Sequence, residues 1–333
     1  MTRGRKSTQA RVWLILSNRL GDNNQLFALA EALGFPFEAK DLHYNQLRRI
    51  PFLNAEGLRT VVRRHRKLIE PPWPDLVIAA GYQSIPVARY IRRQSHGGAK
   101  LVFIGNPRIR IDDFDLQFTT PQYPRTAPNL IELPFPIGNP AKAVIPTEEE
   151  QRWLGRFPRP RRLVAVGGPA RHWQLDHEAL GEAVRRLRER EPAGSLIVAT
   201  SPRTSGNTRR FLERLVGVPH EALVDDFPRF GVLLSECDEI YVTADSVSML
   251  SEAALTGKPV GLIPIERSLG GRVSRALWER PFGHATLPDL ANFWNRLEAS
   301  GLVGTAELPL ASQVCDTVER AAGAVRALLG RGA

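Results

Sequence analysis

A chain of 333 residues has room for two domains of about 150 residues each, and 43% apolar with 24% charged residues is a globular composition. Its two cysteines, Cys237 and Cys315, have no CxxC or Cys/His spacing, which argues against a disulfide framework and a structural zinc. The net charge of +10 is one-sided: residues 1–145 hold 21 Lys and Arg against 11 Asp and Glu, whereas residues 146–333 hold 24 of each. A basic half beside a neutral one points to an anionic partner.

Residues 1–10 read as a frayed tail. The apolar run 12–16 is five residues, shorter than a signal h-region, and no apolar run reaches about 18 residues, so a cytoplasmic chain without a spanning helix is expected. Residues 12–17 (VWLILS) predict a first buried strand, 18–25 a loop containing GDNNQ, and 26–33 (LFALAEAL) a helix. The loop lacks GxGxxG spacing, so no dinucleotide cofactor is implied. Asp22, Asn23 or Asn24 suit helix capping, and equally a loop that meets ligand beyond the carboxyl end of a strand.

A second strand is predicted over 35–39 and a helix over 57–69 (GLRTVVRRHRKLI). That helix carries Arg59, Arg63, Arg64, Arg66 and Lys67, with Arg48 and Arg49 upstream. Besides a solvated basic face, the set suits an anionic membrane surface, where each charge gains about 1 kcal/mol. No RNP, KH, zinc-finger or helix-turn-helix signature accompanies it, so nucleic acid is not expected. Strands follow at 75–80, 100–104, 115–119 and 129–133, with a helix from 82 to 94; the run 112–115 (DDFD) reads as solvated. The Pro- and Gly-punctuated segment 134–140 ends this domain, and a short helix opens at Thr147.

The second half repeats the strand-turn-helix rhythm with ligand-type residues at three strand ends. After the strand 163–166 come Gly167, Gly168, Arg171 and His172; paired glycines allow close backbone approach to a ligand, and the arginine and histidine suit phosphate or sugar. After the strand 195–199 come Ser201, Arg203, Thr204 and Ser205, hydroxyls and a guanidinium ahead of a helix over 207–215. The stretch 240–263 then reads as a strand, a turn with Asp245 or Ser246 as N-cap, a helix bearing Ser248, Met249 and Glu252, and a further strand at 259–263. Helix N-termini with unpaired N–H groups are generic anion sites, and a carboxylate at Glu252 can accept from paired sugar hydroxyls. Capping and solvation alone account for the same polar residues as a structural unit. Helices are also predicted over 272–280, 290–297 and 315–329.

The four blocks GDNNQ (21–25), GGPARHW (167–173), TSPRTS (200–205) and ADSVSMLSEAALTGKPV (244–260) resemble the family named after the plant mitochondrial fission (elongated mitochondria) protein. The last block is also similar to the nucleotide-sugar half of GT-B glycosyltransferases. The resemblance implies an α/β fold of two doubly wound Rossmann-like domains facing a cleft: an acceptor-side domain at 11–138, a linker at 139–160, a nucleotide-sugar domain at 161–310, and a C-terminal segment 311–333 whose helix crosses back to the first domain. It implies metal-independent transfer of a sugar from a nucleotide diphosphate sugar, UDP-linked by analogy, with no further cofactor. The donor set is then Gly167, Gly168, Arg171, Ser201, Arg203, Thr204, Ser205, Asp245, Ser246, Ser248, Met249 and Glu252. The base candidates are Asp22, whose loop should face the donor, and His172. The acceptor is envelope or lipid-linked, reached at the inner face of the membrane through the basic set. A UDP-sugar epimerase and a non-catalytic membrane adaptor of the same fold are the competing expectations.

Overall fold

The computed structural model describes residues 10–49, 56–107, 111–123, 125–138, 144–170, 173–268, 289–311 and 316–330. They form two compact units, one of residues up to 138 together with 316–330, the other of residues 144–311.

The first unit is a six-stranded parallel sheet. Its strands are β1 (Val12–Ile15), β2 (Phe37–Lys40), β3 (Leu76–Ala80), β4 (Lys100–Ile104), β5 (Leu116–Thr119) and β6 (Leu130–Glu132), in the order β2-β1-β3-β4-β5-β6. Strands buried on both faces read as continuous apolar runs, and alternation divides each run between two layers. Val12, Leu14, Leu76, Ile78, Val102 and Ile104 enter one core, and Trp13, Ile15, Val77, Ala79, Leu101 and Phe103 the other.

Helix α1 (Leu20–Leu33) covers the first layer through Leu26, Leu29, Ala30 and Leu33, the i, i+3, i+4, i+7 positions of one stripe. The C-terminal helix Thr317–Leu328 covers the same layer with Val318, Ala321, Ala322 and Val325. Thr317 Oγ1 donates to the Pro136 carbonyl at 3.3 Å, and the Arg326 guanidinium donates to the Ala32 carbonyl at 2.6 Å. A cation on the last turn of α1 complements that helix's negative end.

The second unit has a seven-stranded sheet. Its strands β7 (Arg161–Ala165), β9 (Ser195–Ala199), β10 (Glu221–Val224), β11 (Glu239–Thr243), β12 (Pro259–Ile263) and β14 (Gly304–Thr305) lie parallel in the order β10-β9-β7-β11-β12-β14. Strand β15 (Leu310–Ala311) pairs antiparallel with β12. Two short strands, β8 (Trp173–Gln174) and β13 (Glu266–Arg267), form a separate ribbon. In both sheets chain order reverses beside the first strand, between β1 and β3 and between β7 and β11. Open α/β sheets bind ligands at such switch points, beyond the strands' carboxyl ends. The fold class is α/β with two Rossmann-like units of doubly wound topology.

Three local expectations are corrected. Helix α1 begins at Leu20 rather than at residue 26, so Asp22, Asn23 and Asn24 lie in its first turns and not in a loop. Asn23 binds both backbone groups of Ser17, accepting its N–H at 2.8 Å and donating to its carbonyl at 3.0 Å, and this tie lets the helix start directly after the strand. Residues 57–69 form no α-helix: Val61 is fully buried and bridges Tyr44, leaving only a 3-10 turn, Arg63–Leu68. The β-branched Thr60-Val61-Val62 favours that extended pairing. Within the run 112–115 Asp112 is exposed as expected, but Asp115 is half-buried and engaged: it pairs with Arg92 and accepts the Leu101 N–H at 2.7 Å. The helix predicted over 272–280 lies outside the described residues.

Candidate functional site

Three strand exits of the second sheet meet at its switch point. Gly167 and Gly168 leave β7, Ser201 to Ser205 lead from β9 into helix α5 (Gly206–Leu215), and Ala244 to Ser246 lead from β11 into helix α7 (Val247–Ala254). Their contacts are direct. The Gly167 N–H donates to Thr243 Oγ1 at 2.8 Å, and the Gly168 N–H donates to Asp245 Oδ2 at 2.7 Å. Thr204 Oγ1 lies 2.6 Å from the Gly167 carbonyl oxygen and 3.0 Å from that of Val166, and accepts the Ser201 N–H at 2.8 Å.

The paired glycines therefore serve a purpose other than the one their sequence suggested. A β-carbon on Gly167 would lie 2.0 Å from Asp245 Oδ2, and one on Gly168 would lie 2.0 Å from the Arg203 carbonyl oxygen. They bring neighbouring loops into contact, and both amides are engaged within the protein. Exposed at this point are Arg203 and, in the first turn of α7, Ser248. Ser246 caps the helix, its Oγ accepting the Met249 N–H at 3.5 Å. The earlier amides, of Val247 and Ser248, then need acceptors from outside the helix. Ser248 Oγ donates to Glu252 Oε1 at 3.2 Å, and both residues are exposed. Ser205 is occupied as the cap of α5, accepting the Thr208 N–H.

Asp245 is the unusual member. Its side chain is 3% exposed, its Oδ1 is buried without a hydrogen-bond partner, and Arg203, with a side chain 52% exposed, reaches within 3.6 Å of Oδ2. Burial pushes the Asp245 carboxyl above the usual carboxylate range, against the pull of Thr243, the Gly168 N–H and Arg203. The Glu252 carboxyl is also held high, because protein atoms displace water around it although the residue keeps an exposed surface; Ser248 opposes this.

Of the donor set expected from sequence, the structure gathers Gly167, Gly168, Ser201, Arg203, Thr204, Asp245 and Ser246 at one switch point, with Ser248, Met249 and Glu252 on the helix that leaves it. Arg171 and His172 lie outside the described residues. The sequence reading gave Thr243 a turn role and not its bond to Gly167, and it missed an aromatic brace. Trp294 Nε1 donates to the Ala244 carbonyl at 2.8 Å and meets Trp173 edge-on at 4.8 Å, with Arg267 stacked 4.4 Å from the Trp173 ring. Tryptophan in the predicted 290–297 helix carried no signal that it reaches a loop 50 residues away.

In the first unit, Asp22 stands at the switch point between β1 and β3. Ser17 Oγ donates to Asp22 Oδ2 at 3.1 Å, and a β-carbon on Gly81, the residue after β3, would lie 3.7 Å from that oxygen. Burial raises the Asp22 carboxyl, with Ser17 and Arg19 opposing. Elsewhere in this unit Arg59, Arg63, Arg64 and Lys67 are exposed beside Leu47 and Leu68, 39% and 38% exposed. Arg66 does not join them: its guanidinium turns back to the carbonyls of Val61, at 3.1 Å, and Arg59, at 3.4 Å. The side chains of Arg48 and Arg49 lie outside the described residues. No helix among the described residues is long and apolar enough to cross a membrane.

Comparison with known proteins gives a family and a fold. The profile of the family described as mitochondrial fission ELM1 matches residues 20–279. The mitochondrial fission protein ELM1 of Arabidopsis thaliana is 26% identical over 236 residues, covering 62% of this chain and 55% of that protein, so the chain spans about half of that relative's length. Among solved structures, a UDP-GlcNAc 2-epimerase from Neisseria meningitidis superposes with a TM-score of 0.52 at 13% identity, over 97% of this chain and all of that one. A glycosyltransferase from Rickettsia africae gives 0.52 at 10% identity, over 96% and 99%. At these identities the likeness establishes the fold, that of GT-B proteins.

Proposed function

We propose that this chain, which belongs to the mitochondrial fission ELM1 family, binds a nucleotide diphosphate sugar at the start of α7 and transfers its sugar to an acceptor hydroxyl. The observation that carries the reading is the meeting of three strand exits at the switch point of the second sheet, with Arg203, Ser248 and Glu252 exposed beside the start of α7. A diphosphate takes its charge compensation from the α7 N-terminus and from the Arg203 guanidinium, whose fork fits two phosphate oxygens. As the bond to the sugar breaks, negative charge grows on the departing diphosphate, and fixed donors there lower the barrier without reorganising. Glu252 accepts from the ribose hydroxyls, as acidic residues do in other nucleotide sites. UDP is the nucleotide favoured by the likeness of this helix to those of UDP-sugar enzymes.

Asp22 is the base we assign to the acceptor hydroxyl. It stands at the first unit's own switch point, and the rise of its carboxyl brings it closer to the operating range of a general base. His172 is the second candidate. The exposed set Arg59, Arg63, Arg64 and Lys67 supports a lipid-linked acceptor met by a cytoplasmic, peripherally bound protein at an anionic membrane face.

Thermal-shift titration with UDP, GDP, ADP and CMP sugars tests the donor reading. Stabilisation by one nucleotide class, lost in Glu252→Ala, is expected; no response to any of them at millimolar ligand would leave the adaptor alternative instead.

A further inference from the structure

We infer that Asp245 takes up a proton when a diphosphate draws Arg203 away from it, so that ligand binding at α7 is coupled to protonation of a buried carboxyl. The inference rests on the nucleotide-sugar reading of the site and adds a linkage to it.

The geometry sets two anions in competition for one cation. Asp245 lies one residue before the cap of α7, and its Oδ2 holds the Gly168 N–H at 2.7 Å and the Arg203 guanidinium at 3.6 Å. Arg203 has a half-exposed side chain on a loop whose own turn is fixed by Ser201 and Thr204, so its head can swing outward while the loop stays in place. A diphosphate at the helix start offers Arg203 two oxygens where Asp245 offers one distant contact, and bidentate phosphate pairing is the stronger. Once Arg203 has moved, the carboxylate has lost its cation and gained anionic neighbours. Both changes favour its neutral form.

Among the described residues the surroundings offer no replacement. Of the described residues of the β7 exit, Asp245 meets the backbone of the two glycines; from β11 it meets the Thr243 hydroxyl, and from the helix Leu290–Ala299 comes the Trp294 indole bound to the preceding carbonyl. On α7 the ionisable group is Glu252, itself an acid. Among the described residues Arg203 is the charged side chain that reaches Asp245. The proton comes from solvent and bonds to Oδ1, which has no partner, while Oδ2 keeps the Gly168 N–H. Charge balances: one proton enters as Arg203 transfers to the ligand. The sign follows. Because the bound state holds more protons, affinity falls as pH rises through the window between the free and the bound carboxyl, by up to about tenfold per pH unit.

Isothermal titration of the full chain with UDP-N-acetylglucosamine, in PIPES and in imidazole at matched pH and ionic strength, reads the proton directly. This diester carries no phosphate proton that titrates in the range used. From about pH 5.5 to about pH 8, uptake should approach about one proton per ligand within the window. Asp245→Asn, which keeps an acceptor for the Gly168 N–H, should bring uptake to zero and flatten the pH dependence of affinity. Arg203→Met should weaken binding and also reduce uptake, since its Asp245 is already without a cation. Binding with no uptake at any pH, or with uptake unchanged in Asp245→Asn, would overturn the linkage while leaving the donor site standing. No binding at any pH, of this ligand or of any nucleotide sugar in the thermal-shift series, would overturn the donor site and the linkage with it.

Discussion

A β-carbon on Gly167 would lie 2.0 Å from the buried Oδ2 of Asp245. The contact joins β7 to β11 at the point where the second sheet reverses its strand order. Gly167→Ala should cost about 1–3 kcal/mol, the usual penalty of overpacking, read as a lower urea midpoint. Asp245→Ala in the same chain should recover part of that loss, because residues in contact couple. An unchanged midpoint in Gly167→Ala would mean that the strand exits are looser than described.

Glu150 links the short helix α3 (Glu148–Leu154) to helix α6 (Phe230–Glu236). Its carboxylate accepts from Arg229 Nε at 2.9 Å, from Nη2 at 2.7 Å, and from the backbone N–H groups of Arg229 and Thr147 at 3.1 and 2.8 Å. The Arg229 bonds, first of all, hold the carboxyl far below its ordinary range. A depressed folded value stabilises the fold above the unfolded carboxylate range, and that stability is lost as pH falls below it. Glu150→Gln should therefore be less stable than wild type at neutral pH, with the difference shrinking in urea denaturation series carried below about pH 4. A difference independent of pH would remove the carboxylate from the account.

Lys258 belongs to the GKP element of the sequence motif, but its ammonium turns inward. It donates to the carbonyls of Leu234, at 2.8 Å, Cys237, at 2.6 Å, and Ser235, closing the end of α6. Lys258→Met should lower stability by about 1–3 kcal/mol, since the carbonyls lose a charged donor, and should leave nucleotide affinity unchanged. A variant that folds as wild type but fails to bind would make Lys258 a ligand contact instead.

The basic surface divides into outward and inward arginines. Neutralising Arg63, Arg64 and Lys67 together should weaken sedimentation with anionic vesicles and make what remains less sensitive to salt. Arg66→Gln should instead lower thermal stability, through the carbonyls of Val61 and Arg59, with vesicle binding almost intact. Equal vesicle losses in both would mean that net charge, rather than this surface, governs association.

Much of the framework could be read from local chemistry. Strands such as β9 and β12 are continuous apolar runs bounded by turn residues, and Ser205 and Ser246 stand where caps of α5 and α7 are needed. The donor stretch was legible for the same reason, since strand, turn and cap are neighbours in sequence. Long-range burial overrode local pattern elsewhere. Residues 57–69 have helical spacing, yet Val61 is drawn into a bridge with Tyr44. GDNNQ has loop composition, yet Asn23 reaches back to Ser17 and lets α1 begin early. The roles of Gly167 and Gly168 depended on what lies 78 and 35 positions away, Asp245 and Arg203, and no spacing rule supplies that.

The C-terminal helix Thr317–Leu328 lies in the core of the first unit, against α1. During synthesis, the six strands of that unit leave the ribosome well before their last covering element does. Until residue 328 emerges, α1 and its neighbours present an apolar groove that a nascent chain must shield or leave to a chaperone. That unit is thus completed only after the second has been made, and a fragment cut after residue 138 should be sticky and poorly folded rather than an autonomous module.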